Sequence, residues 1–226
     1  ILSAAVLALI TGYICLRTTG MAFIMITLAF AQMLFFLAVS LKQYGGDDGL
    51  TLPTRSTFGF FDLSNNLVLY YFTFGILLAA IAAMFKLVRS PFGMTLRGIK
   101  QNERRMKALG HAPLKYQLTA YVVSACVAAI AGFLLANLTN FASPAYGAWT
   151  VSGELIVIII LGGVGTVYGP VLGAAAFLLL EELLPHLVEM VAPNYKSNWM
   201  LILGVLIVVM TLTLKRGLYG SLPGDD

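Results

Sequence analysis

The residues of this chain that could do chemistry are scattered and form no common catalytic pattern. The phosphate-binding motif G-x-x-x-x-G-K-[ST] and the zinc motif H-E-x-x-H are both absent from the sequence. Cys15 and Cys126 lie within apolar stretches, and the two histidines are isolated, so neither residue type forms a metal-ligand cluster. Gly163 and Gly165 lack the third glycine of a dinucleotide-binding loop. The sequence therefore predicts no catalytic residues, no metal and no cofactor.

A basic connector, residues 90–116, is the first segment whose pattern indicates a function. Around it lie eight of the chain's 14 lysines and arginines, with Glu103 as the one acid among them: Lys86, Arg89, Arg97, Lys100, Arg104, Arg105, Lys107 and Lys115. Cations accumulate in the cytoplasmic loops of membrane proteins. We therefore expect the connector to be cytoplasmic.

Within the connector, the spacing predicts one helix of about 18 Å over residues 98–109. One face of that helix carries Ile99, Asn102, Met106 and Leu109, and the other face is basic. Such a helix can dock into a groove on a cytoplasmic partner, or it can lie on anionic lipid headgroups. Because the chain has no phosphate loop of its own, a separate motor subunit is a natural partner for docking.

An acidic, glycine-rich turn is the second segment. It follows a long apolar run and consists of Tyr44, Gly45, Gly46, Asp47, Asp48, Gly49 and Leu50. Such a turn can gate a pathway or contact the ammonium group of a substrate, and it can equally be a solvated loop.

Three carboxylates form the third group. A carboxylate within a membrane is costly, so it usually faces a cavity or a partner. Glu154 lies near the start of a short apolar arm, where it can line a pathway or cap the positive end of a helix. Glu181 and Glu182 lie near the predicted outer boundary, where they can reach water.

A second glycine-rich turn separates two apolar arms, and it contains Gly162, Gly163, Gly165, Thr166, Gly169 and Pro170. Its first arm, residues 151–161, would span only about 16 Å as a helix. Irregular backbone at membrane depth must be buried in protein or line a cavity. The segment therefore predicts either a broken or re-entrant hairpin that holds a solute, or a tight cytoplasmic turn.

The composition determines which elements must position these segments. Hydrophobic residues make up 59% of the chain and charged residues only 11%, against about 25% charged in soluble domains. We therefore predict an all-α polytopic membrane protein with about six crossings, forming a single permease domain over residues 1–226. The apolar segments are 1–16, 21–41, 66–88, 117–138, 151–161, 169–184 and 198–214. Since the first residue is Ile1, we expect a missing N-terminal segment; a cleaved signal peptide is the alternative.

The charges also predict the orientation of the loops. If the connector is cytoplasmic, Arg17 and the Lys215–Arg216 pair also lie inside, while residues 42–65 and 137–150 lie outside, and Trp199 marks the outer boundary of the last helix.

Small residues recur every four positions in two places, which favours close helix packing within the chain or across a subunit interface. The first set is Ala120, Ser124, Ala128, Gly132 and Ala136, and the second is Gly165, Gly169 and Gly173.

Three segments together resemble the permeases of bacterial branched-chain amino-acid ABC importers, and their M-type subunit in particular. The first is GMTLRGIKQNE at residues 93–103 with ALG at 108–110. The second is LAFAQM at 28–33, followed by the turn at 45–50. The third is LGGVGT at 161–166, followed by GPVLGA at 169–174. The resemblance covers nearly the whole chain in order and spacing.

The resemblance implies a bacterial inner-membrane protein that pairs with a homologous H-type permease, two cytoplasmic ATPases and a periplasmic solute-binding protein. It implies that the connector docks on an ATPase through Arg97, Gly98, Ile99, Asn102, Glu103, Met106, Leu109 and Gly110. It also implies that both glycine-rich turns line the solute path. One departure is Arg104–Arg105, where the family commonly has small or acidic residues, and this puts the exact partner ATPase in question.

Other classes of function remain as alternatives. Similar permeases import urea or short-chain amides, so the solute is less firmly indicated than the machinery. A secondary transporter would instead need membrane-embedded carboxylate or proton-relay pairs, for which Glu154 alone is slight support. A membrane-embedded enzyme would need clustered catalytic residues, and the sequence has none. We expect no interaction with nucleic acid.

Overall fold

The computed structural model describes residues 1–42, 45–52, 57–58, 61–62, 65–191 and 199–213. Helices dominate these residues, which confirms the predicted all-α class. They are α1 (Leu2–Cys15), α2 (Met21–Ser40), α3 (Asn66–Arg89), α4 (Pro91–Gln101), α5 (Glu103–Ala108), α6 (Pro113–Thr139), α7 (Trp149–Gly162), α8 (Gly169–Val191) and α9 (Trp199–Thr213). The strands are two residues each: β1 (Leu50–Thr51), β2 (Thr57–Phe58), β3 (Phe61–Asp62) and β4 (Phe141–Ala142).

Three helices within the described residues, α2, α3 and α6, are long and apolar enough to cross a membrane. They have 20, 24 and 27 residues, or about 30 to 40 Å of helix at 1.5 Å per residue. α2 buries none of its residues, and large apolar side chains such as Met25 and Phe36 are more than 60% exposed. A chain that leaves this much apolar surface uncovered is a multi-pass membrane protein. The count of about six crossings stays a prediction.

The chain divides into two compact units, Ile1–Trp149 and Thr150–Asp226. The prediction of one permease domain over residues 1–226 is not tested by this division. Lys215 and Arg216, predicted to face the cytoplasm, and Tyr44 of the acidic turn lie outside the described residues, as does the side chain of Trp199.

In the first unit, α1 packs along α6 at a glycine. A Cβ on Gly12 would lie 2.7 Å from Cδ1 of Tyr121 and 3.1 Å from Cδ1 of Leu118, so a larger residue here would push these side chains away from α1. Ala8 and Cys15, on the same helix, are buried. With little hydrophobic drive between helices in lipid, close contact at small residues supplies the packing energy.

Strand pairing decides which loops share an end of the first unit. β1 pairs antiparallel with β4, with Leu50 opposite Ala142 and Thr51 opposite Phe141. The carboxyl ends of α2 and α6 therefore lie together, as the predicted outer loops require. The turn that carries Arg17 lies beside α5 and the start of α6, so it shares the connector's end. The loops of this unit therefore group at two opposite ends, and which end faces the cytoplasm stays a prediction.

In the second unit, two glycines let α7 and α8 meet backbone to backbone. A Cβ on Gly173 would collide with the carbonyl oxygen of Ile158 and lie 2.8 Å from the Gly162 nitrogen. α8 then continues through Pro185 to Val191. The helix therefore extends seven residues beyond the apolar segment 169–184 that the sequence indicates.

Candidate functional site: a basic connector and two glycine-rich turns

The basic connector forms two helices instead of the single helix expected over residues 98–109. The break is at Asn102, which has extended backbone angles (φ −158°, ψ 100°) and separates α4 from α5. Its side-chain Oδ1 accepts a hydrogen bond of 3.0 Å from the backbone N–H of Arg105. The prediction of a continuous helix was wrong because asparagine gains more as a helix cap than inside a helix.

α4 is fastened to the end of α3. Ser90 caps α4, because its Oγ accepts from the N–H of Gly93 at 3.4 Å and donates to the carbonyl of Leu87 at 2.6 Å. A side chain at Gly93 would collide with the carbonyl oxygens of Leu87 and Val88. Ile99, further along α4, is only 5% exposed. The end of α3 and the start of α4 therefore form one closely packed junction.

α5 folds back on α4 through the contact of Met106 with Gly98. A Cβ on Gly98 would lie 2.8 Å from the Met106 sulfur. The backbone N–H of His111 donates to the Met106 carbonyl at 3.1 Å, and Gly110 takes φ +84° to close this turn. The structure thus brings Gly98 and Met106 together, in a contact internal to the connector.

Three aromatic rings join the connector to the start of α6. Phe92 and Tyr116 have ring centroids 5.7 Å apart, and His111 meets Tyr116 edge to face at 5.8 Å. Offset and edge-to-face ring pairs at this separation are favourable beyond simple burial. Both ends of the connector are therefore held in place.

The exposed surface of the connector mixes apolar and cationic side chains. Leu109 is 67% exposed and Met94 is 59% exposed. Arg97, Asn102 and Gly110 are also exposed, whereas Ile99 is in the interior. Glu103 is half-buried and forms an ion pair with Lys107, whose Nζ lies 2.8 Å from Oε1 of Glu103. The residues predicted to dock are therefore divided between the surface and the interior of the connector. The remaining exposed cations of the connector are Lys100, Arg104, Arg105 and Lys115.

Met94 is exposed on α4, but the docking residues predicted from the sequence do not include it. It lies three residues before Arg97 on α4, which is the spacing of neighbours on one helix face. This signal was overlooked because the predicted helix began at residue 98, seven residues after the true start at Pro91.

The acidic turn has a defined backbone. Gly46–Asp48 form one turn of 3₁₀ helix, bracketed by Gly45 with φ +89° and Gly49 with φ +76°. The side chains of Asp47 and Asp48 are exposed. Gly49 lies against β4, where a Cβ would be 2.7 Å from Cζ of Phe141. The structure therefore brings this turn next to the end of α6.

Replacing Gly49 with alanine should destabilise this outer end by about 2 kcal/mol, through the left-handed backbone and the clash with Phe141. We expect faster proteolysis in the turn at residues 45–50, measured on the purified chain. Gly20→Ala is the matched control, because Gly20 also has positive φ (+66°) but has nothing within 4 Å of its Cβ position. Equal protease sensitivity of the two variants would contradict a packing role for Gly49.

The second glycine-rich turn is a tight connection between α7 and α8. The Oγ1 of Thr166 accepts from the N–H of Gly169 at 3.0 Å and donates to the carbonyl of Gly163 at 3.1 Å. Gly163 and Gly165 take φ +118° and +98°. Gly162 and Gly163 are buried, and Gly165 is exposed.

Glu154 is not part of this cluster. It is exposed, and it lies eight residues before Gly162 on α7, or about 12 Å along the helix axis. The structure therefore separates Glu154 from the glycine turn that the sequence placed with it on the solute path. Whether either lines that path stays a prediction.

Apolar membrane-length helices, a cationic helical connector and a glycine-mediated helix crossing are features of polytopic transport proteins. The chain belongs to the family of the permease component of the branched-chain amino acid transport system, whose family model matches residues 1–211. The resemblance found in the sequence is therefore confirmed. This family comprises membrane subunits of transporters and not catalytic enzymes.

Curated relatives carry the same description. The high-affinity branched-chain amino acid transport system permease protein LivM of Escherichia coli is 26% identical over 241 residues, covering 96% of this chain and 55% of its own length. LivM of Salmonella typhimurium is also 26% identical, with the same coverage. A probable LivM of Methanocaldococcus jannaschii is 32% identical over 102 residues, which is 44% of this chain and 29% of its own length.

The chain therefore spans about half the length of the bacterial relatives it matches. No solved structure matches it.

Proposed function

We propose that this chain is a transmembrane subunit of an ATP-driven importer that moves branched-chain or related small amino acids across the bacterial inner membrane. Its partners in this proposal are a homologous H-type permease, two cytoplasmic ATPases and a periplasmic solute-binding protein. The observation that carries the proposal is the basic connector α4–α5 in a member of this permease family. ATP hydrolysis takes place on the partner chains.

Exposed residues of the connector support docking. Leu109 and Met94 offer apolar side chains that a partner groove can bury, and such central apolar contacts usually dominate interface energies. The cations around them favour a groove with acidic edges and speed the encounter. Ile99 and Met106 would contribute indirectly, by holding the connector in shape.

Attachment of α4 to α3 supports the transmission of movement. The Ser90 cap and the close contact at Gly93 prevent α4 from sliding independently of α3. When ATP binding closes the two ATPases, α4 and α5 would be displaced as one body, and α3 with them. The membrane helices would then exchange outward and inward access to the solute.

The two glycine-rich turns are the proposed pathway segments. The turn at Gly45, Gly46, Asp47, Asp48 and Gly49 is tied to the end of α6 by β1 and β4, so a shift of α6 would reach it. We assign the turn at Gly162, Gly163, Gly165 and Thr166, with Glu154 before it, to a broken hairpin facing the solute, within a chain of about six crossings.

One face of α6 is suited to the second permease subunit. Ser124, Ala128 and Gly132 are exposed, and among the described residues nothing lies within 4 Å of a Cβ on Gly132. Small side chains allow two membrane helices to approach closely. This face would lie at the permease heterodimer interface.

The test is isolation of the chain from its host in mild detergent, with identification of the proteins that accompany it. We expect a homologous permease and an ATPase that carries a phosphate loop. After reconstitution with the binding protein, leucine, isoleucine or valine should stimulate ATP hydrolysis, and urea or acetamide should not.

Stimulation by urea or acetamide alone would transfer the proposal to an amide importer of the same family. Isolation of the chain alone, with solute uptake that needs no ATP, would overturn the importer and favour a secondary transporter.

A further inference from the structure

A cleft of about 640 Å³ opens at the connector end of the first unit, between the α1–α2 turn and the start of α6. The docking side chains Met94 and Leu109 do not line it. Its polar and charged lining includes Arg17, Thr19, Glu103 and Lys107.

Two cations from different elements border the cleft. The guanidinium of Arg17 lies over the ring of Tyr13, 4.3 Å from its centroid, and also donates to the Tyr13 hydroxyl. This holds the group in place while most of its five N–H donors stay available. Lys107 donates one of its three N–H groups to Glu103 at 2.8 Å. Two cations against one carboxylate leave the lining with a net charge of +1.

The backbone adds to this positive field. α2 begins at Met21 after Gly20, which provides no side-chain cap. Its first-turn N–H groups therefore have no partner within the helix, and such groups favour an anion. The hydroxyl of Thr19 is a further polar group in the lining.

Apolar residues share the cleft with these groups. Leu16, Phe23 and Leu114 line it, and it lies at the ends of α2 and α6, which are long enough to cross a membrane. A lipid presents the same combination, with an anionic phosphate beside a glycerol backbone and acyl chains. A free phosphate would leave the apolar part of the cleft unused.

We propose that this cleft binds the headgroup of an anionic phospholipid, with Arg17 and Lys107 contacting its phosphate. The site goes beyond the importer function and does not depend on an ATPase. Bound lipid would hold the α1–α2 turn beside the connector, and would make the position of the connector sensitive to the lipid composition.

The experiment titrates the purified full chain with phosphatidylglycerol or phosphatidylcholine and counts bound lipids by native mass spectrometry. We expect phosphatidylglycerol to bind more tightly, and Arg17→Gln and Lys107→Gln each to weaken its binding about fivefold. Arg17→Lys, which keeps the charge, should restore most of the binding. Lys100→Gln removes an exposed cation of α4 outside the cleft and should leave binding unchanged.

Equal binding of the two lipids, or an equal loss in Lys100→Gln, would overturn the site in favour of general attraction to a basic surface. Displacement of phosphatidylglycerol by inorganic phosphate at equal concentration would assign the cleft to free phosphate. Because no ATPase is present, failure of the importer proposal would leave these results unaffected.

Discussion

Leu109→Glu is expected to uncouple ATP hydrolysis from the solute while leaving this chain folded. The Leu109 side chain is 67% exposed and lies just after α5, so the isolated chain loses little packing when it is replaced. In the docked complex, the change removes a buried apolar contact and introduces a carboxylate. Loss of such a central contact costs about 2 to 4 kcal/mol, or roughly 30- to 1,000-fold in affinity.

The measurement is leucine-stimulated ATP hydrolysis by the assembled importer in proteoliposomes, together with the amount of ATPase that co-purifies. Leu109→Met is the matched control, because it keeps an apolar side chain of similar volume. Met106→Glu should also uncouple, but partly by opening its contact with Gly98, so Leu109→Glu is the cleaner variant. Normal coupling in a chain carrying both Glu substitutions would be strong evidence against docking through this connector.

Gly173→Ala is expected to lower the free energy of unfolding of the second unit by about 3 kcal/mol. The new methyl group would press on the carbonyl of Ile158 and on the backbone of Gly162. These are backbone atoms of a helix, which cannot rotate away as a side chain can. α7 and α8 would therefore have to separate along their crossing.

Thermal unfolding of the purified chain, followed by tryptophan fluorescence, measures this effect. Gly153→Ala is the control within the same unit, because Gly153 lies in α7 with nothing within 4 Å of its Cβ position. Alanine there should stabilise the helix by about 0.5 to 1 kcal/mol. Shifts of the same sign in both variants would contradict a glycine-dependent crossing of α7 and α8.

The sequence alone identified the class of protein and the main membrane helices. Starts were predicted at residues 21, 66 and 117, and the helices begin at Met21, Asn66 and Pro113. This worked because lipid satisfies no backbone hydrogen bonds, so each crossing must be an unbroken helix of about 20 apolar residues. This requirement is local, so the composition and the length of a segment are enough to predict a crossing helix.

The connector shows what a local pattern leaves open. Asn102 lies between Lys100 and Arg104, and this local pattern fits a continuous helix as well as it fits a break. A residue that can cap a helix is also tolerated within one. Once α5 turns back so that Met106 covers Gly98, the face expected to dock is divided. Ile99 enters the interior, and Leu109 remains on the surface.

The glycines show most clearly which features the sequence predicts and which only the tertiary structure decides. Their four-residue spacing in the sequence placed Gly132 on one small-residue face and Gly169 and Gly173 on another. Tertiary structure alone decided that Gly173 meets α7, while nothing in the described residues covers Gly132. Spacing fixes which residues share a side of a helix, but the neighbour on that side depends on how distant helices cross.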